Sequence, residues 1–429
     1  MGFHNHTAHH LLALFSLGAP SSLLKASYDH ESSYQRPRPP PPSPSDLAKL
    51  PIQHLSDRSK SSLFLFYFQN RINTIGVHKT LEETFFSGTP ESEQMKIRLF
   101  GGFVHSWIHI GYGVEFDQPA IVAEGCAMAA CSSAGLVEYY EAMKKKVEGL
   151  ETPEKEVTIV ELLEEMRGNE KLRTAARWTE GDKIKGVLDR APEEMIEVAA
   201  KFRVKPDQET IDRRMAESIN AVAYFTHAAQ RTNKPVRLDF FLMHCVTSSL
   251  FLHPLLSLPF LTLHQKASLL ELKVWVDLAL YASRRCPSLH LTEITNYTPK
   301  STTTSDTFAT YPTTSGRAGT AQEKTVAVPR TPANPWLGVI DRAMAFNEDS
   351  HVVKTVRALV NGEKVCAPYE ERGEFLVKGE MWKVMAEMCV DAAEESRESG
   401  EKEPWVRSAG FDEAWEGYGE RFKYGGMKL

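Results

Sequence analysis

The sequence predicts an all-α protein, a single large helical domain spanning residues 1–429. Two observations carry this. Apolar residues recur at helical spacing along most of the chain, while strand-like alternation is nearly absent. No 20–50-residue repeat is evident, which argues against a solenoid. The composition, 42% hydrophobic and 25% charged, supports a substantial core. A net charge of −6 argues against nucleic-acid binding, whose footprint is basic.

The elements follow in order. Residues 4–17 (HNHTAHHLLALFSL) read as a short helix with an apolar C-terminal half, and a second helical piece covers about 20–31. Arg36–Ser45 (RPRPPPPSPS) predicts a polyproline II linker, a stiff spacer between packed segments. Residues 58–75 are apolar and aromatic, and helical pieces are expected near 78–87 and 91–110. Gly111 and Gly113 then interrupt the helical pattern around Tyr112. Ala120–Ala134 is rich in small residues and suits close helix packing. Residues 135–203 predict charged amphipathic helices, with runs such as Lys144–Lys146 as solvated faces. Helices are also expected over Gln208–Gln230, Leu238–Leu250, about Leu261–Arg285, Trp336–Phe346, His351–Val360 and Gly379–Glu395. Residues 298–330, rich in Ser, Thr, Gly and Pro, predict a flexible insertion.

Targeting signals are weak. His10–Ala19 is apolar, but no Lys or Arg precedes it, so export is not expected. Phe240–Gln265 carries no Asp, Glu, Lys or Arg. Histidines and prolines interrupt it, however, and buried core helices fit better than a membrane span. Six cysteines without a CxxC pair read as reduced thiols, and the expected location is cytoplasmic. No GxGxxG after a strand, GxxxxGK[ST], GxSxG or HExxH occurs.

The chemistry lies in the histidines. His105 and His109 stand four apart in GGFVHSWIHIGYGVEFD, on one helical face, with Glu115 and Asp117 following. His6 opens the chain with His9 and His10. His244 lies in the apolar FFLMHCVTSS, and His351 and Lys354 are one turn apart in HVVK. A lone histidine in an apolar helix is usually a satisfied core residue. Four separate apolar segments each bringing a histidine, one with a buried lysine, instead form the pattern of a metal site in a bundle core. Imidazoles suit iron, zinc, copper or nickel. A lysine ligates only after losing its proton by burial, pairing with a carboxylate, or being carbamylated.

The segments FHNHTAHHLL, FVHSWIHIGYGVEF, FFLMHCVTSS, VDLALYASR and HVVKTVRAL, in that order, resemble the questin oxidase-like family from Phe3 to about Phe422. These fungal secondary-metabolism proteins are described as Baeyer–Villiger oxidases of anthraquinone-type polyketides. The resemblance implies oxygen insertion beside a quinone carbonyl and opening of the resulting lactone. It implies non-haem Fe(II) held by His6, His105, His244, His351 and a modified, carbamylated Lys354, with NADPH as a reductant assigned in the family. Family members usually carry some tens of residues before the FHNH motif. Here Met1 stands almost on it, which leaves His6 prone to fraying.

The sequence thus predicts an oxidoreductase taking a small aromatic polyketide and O2, with no nucleic-acid or membrane partner. His109, Tyr112 and Glu115 are the candidate catalytic residues: His109 beside the metal or the substrate, Tyr112 against an aromatic ring, and Glu115 or Asp117 orienting a ligand imidazole. Trp107, Phe241 and Met243 are further candidates for stacking on the substrate. Two other readings are a metal-free NADPH-dependent Baeyer–Villiger oxidase with acid/base histidines, and an inactive helical protein that binds polyketides.

Overall fold

The computed structural model describes residues 5–35, 37, 52–150, 153, 155–300, 334–346 and 350–421. The predicted linker at 36–45, except Pro37, and the insertion at 298–330 beyond Lys300 lie outside the described residues. The fold is all-α, as predicted. The N-terminal helices are α1 (Thr7–Ser16), α2 (Ser21–Ser32), α3 (Ser61–Phe85), α4 (Pro90–Arg98), α5 (Gly101–Glu115) and α6 (Pro119–Cys131). Shorter helices follow: α7 (Val137–Val147), α8 (Ile159–Gly168), α9 (Glu170–Ala175), α10 (Lys183–Arg190) and α11 (Pro192–Ala199). The remainder are α12 (Gln208–Ala228), α13 (Phe240–Ser249), α14 (Leu252–Leu256), α15 (Leu263–Ser283), α16 (Thr292–Thr295), α17 (Leu337–Met344), α18 (Ser350–Cys366) and α19 (Met381–Ser399).

Local signals explain the boundaries. Predicted pieces 58–75 and 78–87 merge into α3 across a kink at Gly76, whose φ of 81° suits a residue without a side chain. The predicted helix 91–110 divides instead. Thr89 caps α4 by accepting from the Ser92 amide, with Pro90 in the first turn, and α4 ends before Leu99. Helix α13 starts at Asp239, whose carboxylate accepts from the Phe241 and Leu242 amides. Helix α15 opens with a Thr262/Gln265 capping box, and α19 ends at Gly400 with φ 71°.

The predicted interruption at Gly111 and Gly113 does not occur. Both lie inside α5, and their role is close packing. A Cβ at Gly111 would fall 2.3 Å from the Phe251 ring, and one at Gly113 would fall 2.6 Å from Val122. On α6, a Cβ at Gly125 would meet Ile110 of α5 at 2.6 Å. The small residues of α6 therefore let it lie against α5, as its composition predicts. The irregular turn sits at the other end of α5. Gly102, Phe103 and Val104 take φ of 59°, 55° and 60°, a left-handed run that is strained for Phe and Val.

Helices α12 and α15 are buried along most of their length and form the centre of the core. The charged segment 135–203 becomes α7–α11, which bury apolar faces such as Tyr139, Tyr140 and Met143 or Leu162, Leu163 and Met166. The segment Phe240–Gln265 is broken into α13, α14 and the start of α15. Among the described residues no helix is long and apolar enough to cross a membrane. The only strands described are β1 (Leu238–Asp239) and β2 (Trp405–Val406), paired in parallel with Leu238 opposite Trp405. Asp239 also accepts from the Ala409 amide at 2.6 Å, so the C-terminal segment is fastened to the start of α13.

Candidate functional site

Helices α1, α5, α13 and α18 converge at one point, and each brings a histidine. His6 is the residue immediately before α1. His105 follows the left-handed turn of α5, His244 is in the middle of α13, and His351 is in the first turn of α18. His105, His244 and His351 are buried. Donor nitrogens of His6, His105 and His351 all lie within 4.8 Å of one another. The His6 and His105 Nε2 atoms are 3.0 Å apart. The His244 ring centre is 4.9 Å from that of His105 and 5.2 Å from that of His351. His6 is thus seated in the cluster.

Backbone contacts orient these rings. His105 Nδ1 lies 2.6 Å from the Gly102 carbonyl, within the left-handed turn. His244 Nδ1 lies 2.7 Å from the Phe240 carbonyl. A proton on each Nδ1 donates to that carbonyl and places the Nε2 lone pair at the far side of the ring, the tautomer a metal ligand needs. Lys354 is buried one helical turn from His351. Burial, then the charge on Lys354, then His351, His105 and His244 push the proton affinity of His6 well below the ordinary range.

The donor set fits a metal. Two nitrogens each about 2.1 Å from one ion stand about 3 Å apart when adjacent in its coordination sphere, which matches the His6–His105 separation. Neutral imidazoles suit iron or a similar transition metal. The structure brings His6, His105, His244 and His351 together, with Lys354 one helical turn from His351.

The three candidate catalytic residues lie outside this ring of donors. His109 is fully buried, with Nδ1 2.9 Å from His9 Nε2. Tyr112 stacks on the His9 ring at 5.2 Å, under the Arg357 guanidinium. Burial pushes its phenol up to about 12, so it is protonated at neutral pH. Glu115 pairs with Arg357 at the far end of α5. The carboxylate against an imidazole is instead Glu124 of α6, whose Oε2 is 3.3 Å from His109 Nε2. It is the one charged residue of PAIVAEGCAMAAC, the signal that would have singled it out.

The aromatic surroundings also differ from the predicted set. The Phe240 ring lies 4.9 Å from His244 and 5.2 Å from His351, and Trp405 lies 6.2 Å from His351. The β1–β2 pair places Trp405 there, opposite Leu238. The Arg407 guanidinium covers Phe240 at 4.2 Å. Phe241 packs on Phe103 next to this wall. Trp107 donates to the Ser248 carbonyl and lines a small apolar cavity with Leu81, Phe85 and Leu255. Met243 is fully buried.

Comparison with known proteins shows the family. The family described as questin oxidase-like matches residues 3–359. The chain is 34% identical to a questin oxidase of Aspergillus fumigatus, over 96% of this chain and 87% of that protein. It is 32% identical to the Baeyer–Villiger oxidase AgnL3 of Paecilomyces divaricatus, over 96% and 85% respectively. It is 33% identical to the Baeyer–Villiger oxidase ptaJ of Pestalotiopsis fici, over 97% and 88%. The chain is an oxidoreductase and belongs to the questin oxidase-like family.

Proposed function

We propose that this protein cleaves a ring of an anthraquinone or related aromatic polyketide by Baeyer–Villiger-type oxygen insertion, using O2 at a non-haem iron centre. The observation that carries the reading is the convergence of His6, His105, His244 and His351 with Lys354 inside a chain similar to questin oxidase and Baeyer–Villiger oxidases. The four histidines and Lys354, as its carbamate, would hold the iron. When bound, iron supplies the redox centre for O2 and a Lewis acid beside the carbonyl that is attacked.

The chain's own residues supply the rest. Phe240 and Trp405 offer flat apolar faces beside His244 and His351, against which a fused aromatic ring stacks. The Arg407 cation over Phe240 favours an electron-rich or phenolate-bearing substrate at that edge. Burial of the cluster keeps water from competing for the carbonyl. Tyr112 holds a proton at its Oη through neutral pH, and Arg357 over its ring fixes its position. NADPH, or a quinone substrate already reduced, would deliver electrons from solution.

Metal analysis of the purified protein tests this. Stoichiometric iron in the wild type, lost in His244→Ala together with ring cleavage, is the expected result. NADPH consumption with product formation in metal-free protein would replace it with the flavin-free, metal-free oxidase. Polyketide binding without turnover in iron-loaded protein would make the chain a binding protein. A mass increment of one carbon dioxide on Lys354 is expected, and an unmodified Lys354 in active enzyme would remove the carbamate.

A further inference from the structure

Each of the other histidine ligands is fixed within a helix, but His6 precedes α1 and needs support from elsewhere. That support comes from its neighbours in sequence. Asn5 Nδ2 donates to Glu124 Oε1 at 2.9 Å. His9, one turn after His6, meets His109 Nδ1 through its Nε2 at 2.9 Å, and His109 Nε2 faces Glu124 Oε2 at 3.3 Å. Both oxygens of one carboxylate are thus engaged by residues on either side of His6, one directly and one through His109. His9 and His109 are fully buried, whereas the Glu124 side chain is one-third exposed.

We infer that Glu124 is a positioning residue that latches the His6-bearing segment onto α5 and α6 and so sets the place of the His6 imidazole. This rests on the metal reading above for its consequence, but the latch itself is a property of the chain alone. The chemistry agrees. Burial alone would raise the Glu124 carboxyl, yet the His109 and Asn5 contacts outweigh it and hold the group below its usual range, an ionised acceptor. With its proton on Nε2, facing the Glu124 carboxylate at 3.3 Å, His109 leaves Nδ1 to accept from His9 Nε2–H. Helix α1 is only ten residues long and is not stable by itself, so tertiary contacts, these among them, present His6. On the opposite side, His10 binds Glu31 of α2 at 3.1 Å, a contact that fastens α2 to α1 without touching α6.

The test uses the full-length protein and Co(II) as the metal probe. In metal-free protein, Glu124→Ala should speed amide hydrogen exchange over residues 5–16 by about tenfold or more. Co(II) affinity should fall by about 10- to 100-fold, and the Co(II) visible spectrum should shift toward that of His6→Ala. In a His6→Ala background, Glu124→Ala should cost no further Co(II) affinity, because the carboxylate acts through His6. Asn5→Ala removes one link at the edge of the core and should move exchange and affinity in the same direction by a smaller factor. Unchanged exchange over 5–16 in both variants would overturn the latch. So would an equal loss of Co(II) affinity in the His6→Ala background. A wild type that binds no Co(II) overturns the metal reading, while the exchange result still decides the latch.

Discussion

Lys273 and Lys354 are both buried in long helices, and they are buried for different reasons. Lys273 of α15 is paired with Asp277 one turn later on the same helix. Its charge is answered inside the fold, and a helix with KVWVD at this spacing announces the pair in its sequence. Lys354 of α18 lies close enough to His6 to help lower its proton affinity. A fold gains nothing by gathering a lysine and four histidines, since each charged one raises the cost of the next. The comparison sets a buried ion pair within one helix beside a buried cluster that, on the proposed reading, is arranged for a metal.

The sharpest break of this comparison is to remove each lysine in turn. Lys354→Ala should weaken iron binding by more than about 100-fold, beyond the range of outer-shell changes, abolish oxidation, and leave the urea midpoint of metal-free protein unchanged or higher. Lys273→Ala should do the reverse. It strands Asp277 and should destabilise by about 3–5 kcal/mol, with iron affinity retained in the folded fraction. If the two variants behave alike, the distinction fails.

A histidine outside the cluster gives the next contrast. His227 of α12 is fully buried, with Nδ1 2.8 Å from the Ala223 carbonyl, and burial lowers it to about 4. Its folded value lies below the unfolded one of about 6.5. The unfolded chain therefore binds the extra proton, and the His227 contribution is present above about pH 6.5 and lost as pH falls toward 4. The loss approaches roughly 3 kcal/mol. His227→Leu should flatten that part of the stability–pH curve, measured by denaturant unfolding between pH 7 and 4. An unaltered curve would show that His227 is not held neutral.

Smaller effects probe the packing beneath the cluster. Gly111→Ala forces a methyl into the Phe251 ring and should cost about 1–3 kcal/mol, readable as a lowered Tm. Smallest of all, replacing the ion pair as Lys273→Met with Asp277→Leu should change stability by less than about 2 kcal/mol in either direction. A large loss in the double variant would show that the pair does more than answer its own charge.

The gathered histidines were legible because each carries its own local signal, a polar ring in an apolar run, and Lys354 stands one turn from His351. The supporting groups are harder to place: Glu124 stands out as the one charged residue of its helix, but its partners do not. Glu124 is 119 residues from Asn5, and nothing near either residue encodes the other. Trp405 reaches His351 through a two-residue strand that no periodicity reveals. Gly111 and Gly113 misled because glycine signals both a break and a close approach, and only the neighbour, Phe251 or Val122, decides which. The helical class was legible from periodicity alone. The placement of breaks depended on caps and on left-handed residues such as Gly76.

The fastening of Ala409 to Asp239 spans 170 residues, and this sets an order of assembly. Synthesis delivers α1, α5 and α13 well before Trp405 exists, and closing so long a loop is slow compared with forming a helix. The Trp405 face beside His351 is therefore the last part of the site to be built.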